Sequence, residues 1–157
     1  MIRQVINKIM VKRNHIELDA VAYGTGNLCR RRVGIGYFFY DFDSTDENDV
    51  KAFLLFTAAK FNKVFVAFKT KHGVMIMTTV PFTFPVLRHY YDEFQLAFPS
   101  DYLWDIPLFL RVSEKWNIKT GKVISPQPEL IMNPSNIDIY KLIRDDMLPK
   151  KWYRTRD

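Results

Sequence analysis

Apolar and polar positions along this chain fall into short blocks separated by Gly, Pro and charged residues, and the spacing inside each block predicts its element. The aromatic run Tyr37-Phe38-Phe39-Tyr40, set between Gly36 and an acidic stretch, predicts a buried strand that ends at Asp41-Phe42-Asp43. Ser44 then stands three residues before Glu47, the spacing of a capping box, and Val50, Phe53, Leu54 and Ala58 follow at helical spacing. Lys63 to Phe68 and Val74 to Val80 are dense in strand formers. The polar stretch Lys69-Thr70-Lys71-His72-Gly73 between them predicts a hairpin loop. After Pro81 and Pro85, the positions Val86, Tyr90, Phe94 and Ala97 keep a helical spacing up to the break at Pro99-Ser100. Ile106 to Val112 predicts a last strand that tolerates Pro107 only near its start or on an edge.

The predicted order is therefore strand, helix, strand, strand, helix, strand. That is the α+β ferredoxin-like or RRM-like arrangement, an antiparallel sheet with two helices on one face and the other face left for a site. Its outer strands in sequence lie centrally, so the last is expected beside the first. Outside this core, Ile2 to Met10 predicts a short amphipathic helix, with a strand as the competing reading. Tyr23 to Asn27 has turn chemistry and leads into Arg30-Arg31-Arg32. Asn117 to Gln127 predicts a hairpin turning at Lys119-Thr120-Gly121, Ile137 to Leu148 a closing helix, and Lys150 to Arg156 a basic tail.

Length fits a single domain over 1–157, because 157 residues supply one ordinary core. With 48% hydrophobic and 25% charged residues the composition is globular and excludes a disordered chain. A net charge of +6 leans toward nucleic acid or another acidic partner. The single Cys29 excludes an internal disulfide and a Cys-rich zinc site. No apolar run reaches the roughly 20 residues of a membrane helix. The opening segment also lacks the features of a secretory signal, so the expectation is a soluble, cytoplasmic protein.

Asp41 and Asp43 are the most informative pair. Two residues apart on an extended backbone, they point the same way and can share divalent cations, as phosphoryl transfer requires. The same pair also reads as an acidic strand end that caps the following helix. Asp105, just before the last strand, offers a third carboxylate if the sheet brings it beside the first strand, and otherwise a solvated strand start. The loop from Lys69 to Gly73 brings Thr70, His72 and two cations close together, as phosphate binding needs, although an ordinary basic hairpin has the same composition. Arg111, Ser113 and Lys115 alternate along one strand face, from which they can contact a triphosphate or a strand backbone. Arg30 to Arg32, and the tail with Trp152 and Tyr153, suit a nucleic-acid backbone or a solvated face. His89, Tyr90 and Tyr91 raise covalent attack by a tyrosine on a phosphodiester, but both rings fit a core or groove equally well. Walker, dinucleotide-glycine and metalloprotease motifs are absent.

Taken as a set, these residues resemble the catalytic core of the archaeal and eukaryotic primase superfamily. The first motif of that family, an apolar strand ending in Asp-hydrophobic-Asp, is matched by Phe39-Tyr40-Asp41-Phe42-Asp43. Its second is matched at Thr70, Gly73 and Val74, but Met75 stands where the family carries His, with His72 nearby. Its third resembles Trp104-Asp105 followed by Leu110-Arg111-Val112-Ser113-Glu114-Lys115, and Lys119 to Pro126 resembles the stretch that comes next. The resemblance covers roughly 37–128 and implies Mg²⁺ or Mn²⁺ at Asp41, Asp43 and Asp105, with His72 assisting. Thr70, Arg111, Ser113 and Lys115 would then steady the phosphates of a nucleoside triphosphate or of DNA or RNA. The expected activity is primase- or polymerase-like nucleotidyl transfer. A metal-dependent DNA nuclease and a non-catalytic DNA- or RNA-binding replication module are the alternatives.

Overall fold

The computed structural model describes residues 20–26, 35–100, 109–117, 119–139, 141–142 and 148–153. The chain is α+β. Its strands are β1 (Ala20–Gly26), β2 (Ile35–Gly36), β3 (Phe39–Phe42), β4 (Phe65–Lys69), β5 (Val74–Thr78), β6 (Phe82–Thr83), β7 (Phe109–Asn117), β8 (Val123–Ser125), β9 (Glu129–Met132) and β10 (Leu148–Tyr153). Helix α1 spans Glu47–Phe61 and α2 spans Phe84–Ala97. From β3 to β7 the main elements run strand, helix, strand, strand, helix, strand, the predicted RRM- or ferredoxin-like order, with the two-residue β6 lying before α2. The sheets are open and antiparallel, in the orders β3-β5-β4-β9 and β10-β1-β7-β8, with a small β2-β6 pair beside them.

Period-2 alternation sorts the first sheet into two faces. Phe38, Tyr40, Phe65, Ala67, Val74 and Ile76 face the helices and meet Phe53 of α1 and Phe94 of α2. The rings interlock, with Phe94 centred 5.0 Å from Phe38, 5.1 Å from Tyr40 and 5.8 Å from Phe53. The alternate residues Phe39, Val66, Phe68, Met75 and Met77 form a second cluster on the opposite face, closed by Ile139 and partly by Ile137 and Leu142. Ile139, Lys141 and Leu142 are helical, within the predicted closing helix. Ile137 and Asp138 precede the helical residues and Leu148 belongs to β10, whereas 140 and 143–147 lie outside the described residues, as do the predicted N-terminal helix and Arg30 to Arg32.

Three local expectations change. Helix α1 starts later than the capping box implies, because the Asp46 carboxylate accepts from the Asn48 and Asp49 amides at 2.9 and 3.0 Å. Ser44 instead accepts from the Asp46 amide and donates to Asp49. Tyr23 to Gly26, which have turn chemistry, lie in β1, because that strand is flanked on both sides by β7 and β10. Tertiary pairing overrides local propensity there. The strand after α2 runs on to Asn117 and pairs with β1 and β8, not with β3. Beyond it the predicted hairpin forms, with the Gly121 amide donating to Asn117 O and the Asn117 amide to Lys122 O. Gly121 sits there at φ 69°, a left-handed conformation that favours glycine.

Candidate functional site

Parity along β3 decides where its carboxylates lie. Phe38, Tyr40 and Phe42 pack toward the helices, so Asp41 belongs to the opposite face, while Asp43 follows the end of β3 in a tight turn closed by the Ser44 amide donating to Phe42 O at 3.2 Å. The register extends the face of Asp41 across the sheet. Asp41 is opposite Met75 on β5, Met75 is opposite Phe68 on β4, and Phe68 is opposite Leu130 on β9. Asp41 therefore ends a row that is otherwise apolar. Both aspartates are half-buried, and Asp41 Oδ1 is closed off from solvent. The neighbouring Tyr40 hydroxyl reflects this electrostatics: its pKa is raised, first by burial and then by the negative charge of Tyr91 and Asp41.

The β4–β5 hairpin is seated on the exit of β3. Its turn is closed by the Thr70 amide donating to Gly73 O at 2.9 Å. A Cβ at Gly73 would lie 2.0 Å from Phe42 O and 2.7 Å from the Ser44 amide nitrogen. Only glycine lets the hairpin backbone approach the Phe42–Ser44 backbone this closely. Thr70 and His72 are thereby brought beside the segment that carries Asp41 and Asp43, and His72 Nε2 is closed off from solvent. Lys71 Nζ donates to Ile124 O at 2.8 Å and ties the hairpin to β8. The first and second predicted motifs are thus assembled, with Met75 directly opposite Asp41.

The third motif divides. Arg111 is at the register position of Gly24 and Lys115 at that of Ala22, both on β7. Lys115 is buried, and Ser113 Oγ donates to the adjoining Glu114 carbonyl at 2.8 Å. Asp105 lies outside the described residues. Among the described residues no three His, Cys, Asp or Glu side chains cluster as a metal centre. His89 Nε2 is 2.5 Å from Glu93, Tyr90 packs its ring on Phe61 and Phe82, and Tyr91 is buried, so these three serve the helix layer. Among the described residues no helix is long and apolar enough to cross a membrane.

Sequence reasoning missed Lys51 on α1, which the fold brings to the same groove as Lys69 and Lys71. No local spacing links a helix residue to a hairpin that follows it in the chain.

The shape of the fold, an open antiparallel sheet with its elements in β-α-β-β-α-β order, is compatible with a nucleotidyltransferase-like scaffold. Comparison with protein families, with curated proteins and with solved structures finds no match to this chain.

Proposed function

We propose that this protein is a metal-dependent nucleic-acid enzyme that performs nucleotidyl transfer in the manner of a primase or polymerase. The observation that carries the reading is the seating of the Thr70–Gly73 hairpin, through Gly73, against the strand end that holds Asp41 and Asp43. The donor set suits magnesium or manganese. Magnesium takes one or two protein carboxylates and completes its shell with water and phosphate oxygens, and two aspartates two residues apart at the exit of one strand offer that. Asp41 and Asp43 would hold the ion, with Asp105 as the candidate third ligand. Bound there, the ion supplies charge stabilisation to the phosphoryl group under attack.

The chain's own groups do the positioning. The Thr70 hydroxyl and the Lys71 ammonium offer hydrogen bonds and charge to phosphate oxygens on the hairpin side. His72 offers an imidazole to a phosphate or a leaving oxygen. Arg111, Ser113 and Lys115 would act from β7 on the strand or the triphosphate.

The test is extension of a labelled primer-template with nucleoside triphosphates and Mg²⁺ or Mn²⁺, comparing the wild type with Asp41→Asn/Asp43→Asn. The expected result is longer products from the wild type alone, with both proteins equally folded. Shorter products that also need the aspartates would replace this reading with nuclease activity.

A second reading has its own support. Met75, a thioether, lies opposite Asp41 where the resembled family carries an imidazole. That favours a non-catalytic DNA- or RNA-binding module, for which binding would be salt-sensitive, independent of added metal, and unchanged by Asp41→Asn.

A further inference from the structure

On the helix side of the same hairpin lies a groove of about 610 Å³, walled by α1, the β4–β5 turn and β9. That is within the roughly 300–1,000 Å³ range of small-molecule sites. It exists because the sheet continues beyond α1 to β9. Leu130 pairs with Phe68 and Met132 with the adjacent Ala67, so Ile131 is the extra residue of a bulge. The bulge turns Leu130 to one face and Met132 to the other, where Met132 joins the helix-side core. Ile131 and Met132 then form one aliphatic wall, and Leu54 and Leu55 of α1 the opposite one. Leu55 is 62% exposed and Ile131 41%, so both walls are open to an incoming apolar group.

One end of the groove is cationic. Among the described residues Lys51, Lys69 and Lys71 line it with the Thr70 hydroxyl, against a single acid, Glu47. The Asn48 and Asp49 amides at the start of α1 are already taken by Asp46, so the attraction for an anion comes from the lysines. Among the described residues no aromatic side chain lines the groove, which removes the stacking surface a nucleobase would use. A strand added to β9 is also disfavoured, because the strand is short, bulged and bracketed by Pro128 and Pro134.

We propose that this groove binds an amphipathic anion, with a phosphate or carboxylate head among Lys51, Lys69 and Lys71 and an aliphatic chain along Leu54, Leu55, Ile131 and Met132. The groove lies on the helix side of the sheet, opposite the face of Asp41, and shares Thr70 and Lys71 with the catalytic reading, so the variants that test it touch neither residue.

Calorimetric titration with dodecyl phosphate and with dodecanoate, each below its micelle-forming concentration, tests it and distinguishes the two head groups. Saturable one-to-one binding of at least one is expected, with inorganic phosphate and dodecanol each weaker by at least about tenfold. Lys51→Gln/Lys69→Gln and, separately, Leu55→Ser should each weaken binding by about tenfold. All three positions are exposed, so folding is expected to survive and is checked by circular dichroism. Leu96→Ser, at a residue 88% exposed and outside the groove, should leave affinity unchanged. Equal binding of inorganic phosphate, equal weakening by Leu96→Ser, unchanged affinity in the lysine variant, or displacement by a single-stranded oligonucleotide would each overturn the proposal.

Discussion

The two faces of the β3-β5-β4-β9 sheet are built from the same strands and do different work. Toward the helices, aromatic rings from β3, α1 and α2 interlock, and Phe53, Phe65 and Phe94 are wholly buried. On the other face the cluster is smaller and softer, with Met75 and Met77 beside Phe39, Phe68 and Val66, and a carboxylate ends one of its rows. Rigid rings leave large voids when truncated, whereas flexible thioethers adapt to their neighbours. One face therefore specifies the fold and the other has latitude for chemistry. The contrast makes its largest prediction at Phe53. Phe53→Ala should destabilise the protein by about 3–5 kcal/mol, whereas Met77→Leu on the opposite face should cost under about 1.5 kcal/mol. Denaturant unfolding of the two variants measures both, and comparable losses would remove the distinction between the faces.

Gly73 lies at the edge where these regions meet, and it sharpens the comparison because its constraint comes from backbone. A methyl group there would run into Phe42 O and the Ser44 amide, neither of which can rotate away as a side chain tip could. Gly73→Ala should cost roughly 3 kcal/mol, at the upper end of overpacking penalties. It should also separate the hairpin from Asp43 more than it disturbs the Phe53 and Phe94 packing. Hydrogen exchange checks this: amides of β5 and of residues 70–73 should lose protection before those of α1. Uniform loss across the sheet and both helices would mean that the hairpin is not a local clamp.

Elements whose evidence is local were legible in the sequence. Helices α1 and α2 and strands β3, β4 and β5 follow from apolar spacing bounded by turn residues, and the face on which Asp41 lies follows from the strand period. What sequence spacing did not reveal depends on pairing between distant segments. Gly24, Thr25 and Gly26 read locally as a turn, yet they form strand because β7 and β10 flank them. Lys150, Lys151, Trp152 and Tyr153 read as tail, yet they pair with β1. The groove depends on one unpaired residue, Ile131, whose bulge is set by its register against β4. The placement of Met75 opposite Asp41 likewise required the register of β3 against β5, which no spacing within either strand contains.

The smallest effect concerns the polar atom set deepest among the rings. The Tyr40 hydroxyl has one proton to donate, to the Phe98 carbonyl with Gln95 Oε1 at 3.0 Å as the alternative acceptor, so the aromatic face accepts a polar group only by satisfying it. Tyr40→Phe should cost about 1 kcal/mol at pH 8, the net worth of such a bond. Its pH dependence follows from the raised pKa, caused first by burial and then by Tyr91 and Asp41. In the unfolded chain the phenol ionises near pH ~10, while in the folded protein it keeps its proton. Above that pH the unfolded state binds fewer protons than the folded one, so the stability contributed by Tyr40 is complete below pH ~10 and declines as pH rises. Each pH unit beyond ~10 removes up to about 1.4 kcal/mol from the wild type that the phenylalanine variant does not lose through this site. Unfolding curves at pH 8 and pH 11 should therefore show the advantage of the wild type narrowing and closing. A constant gap between the two proteins would mean that Tyr40 ionises as readily in the fold as outside it, and that the aromatic face is wetter than its packing implies.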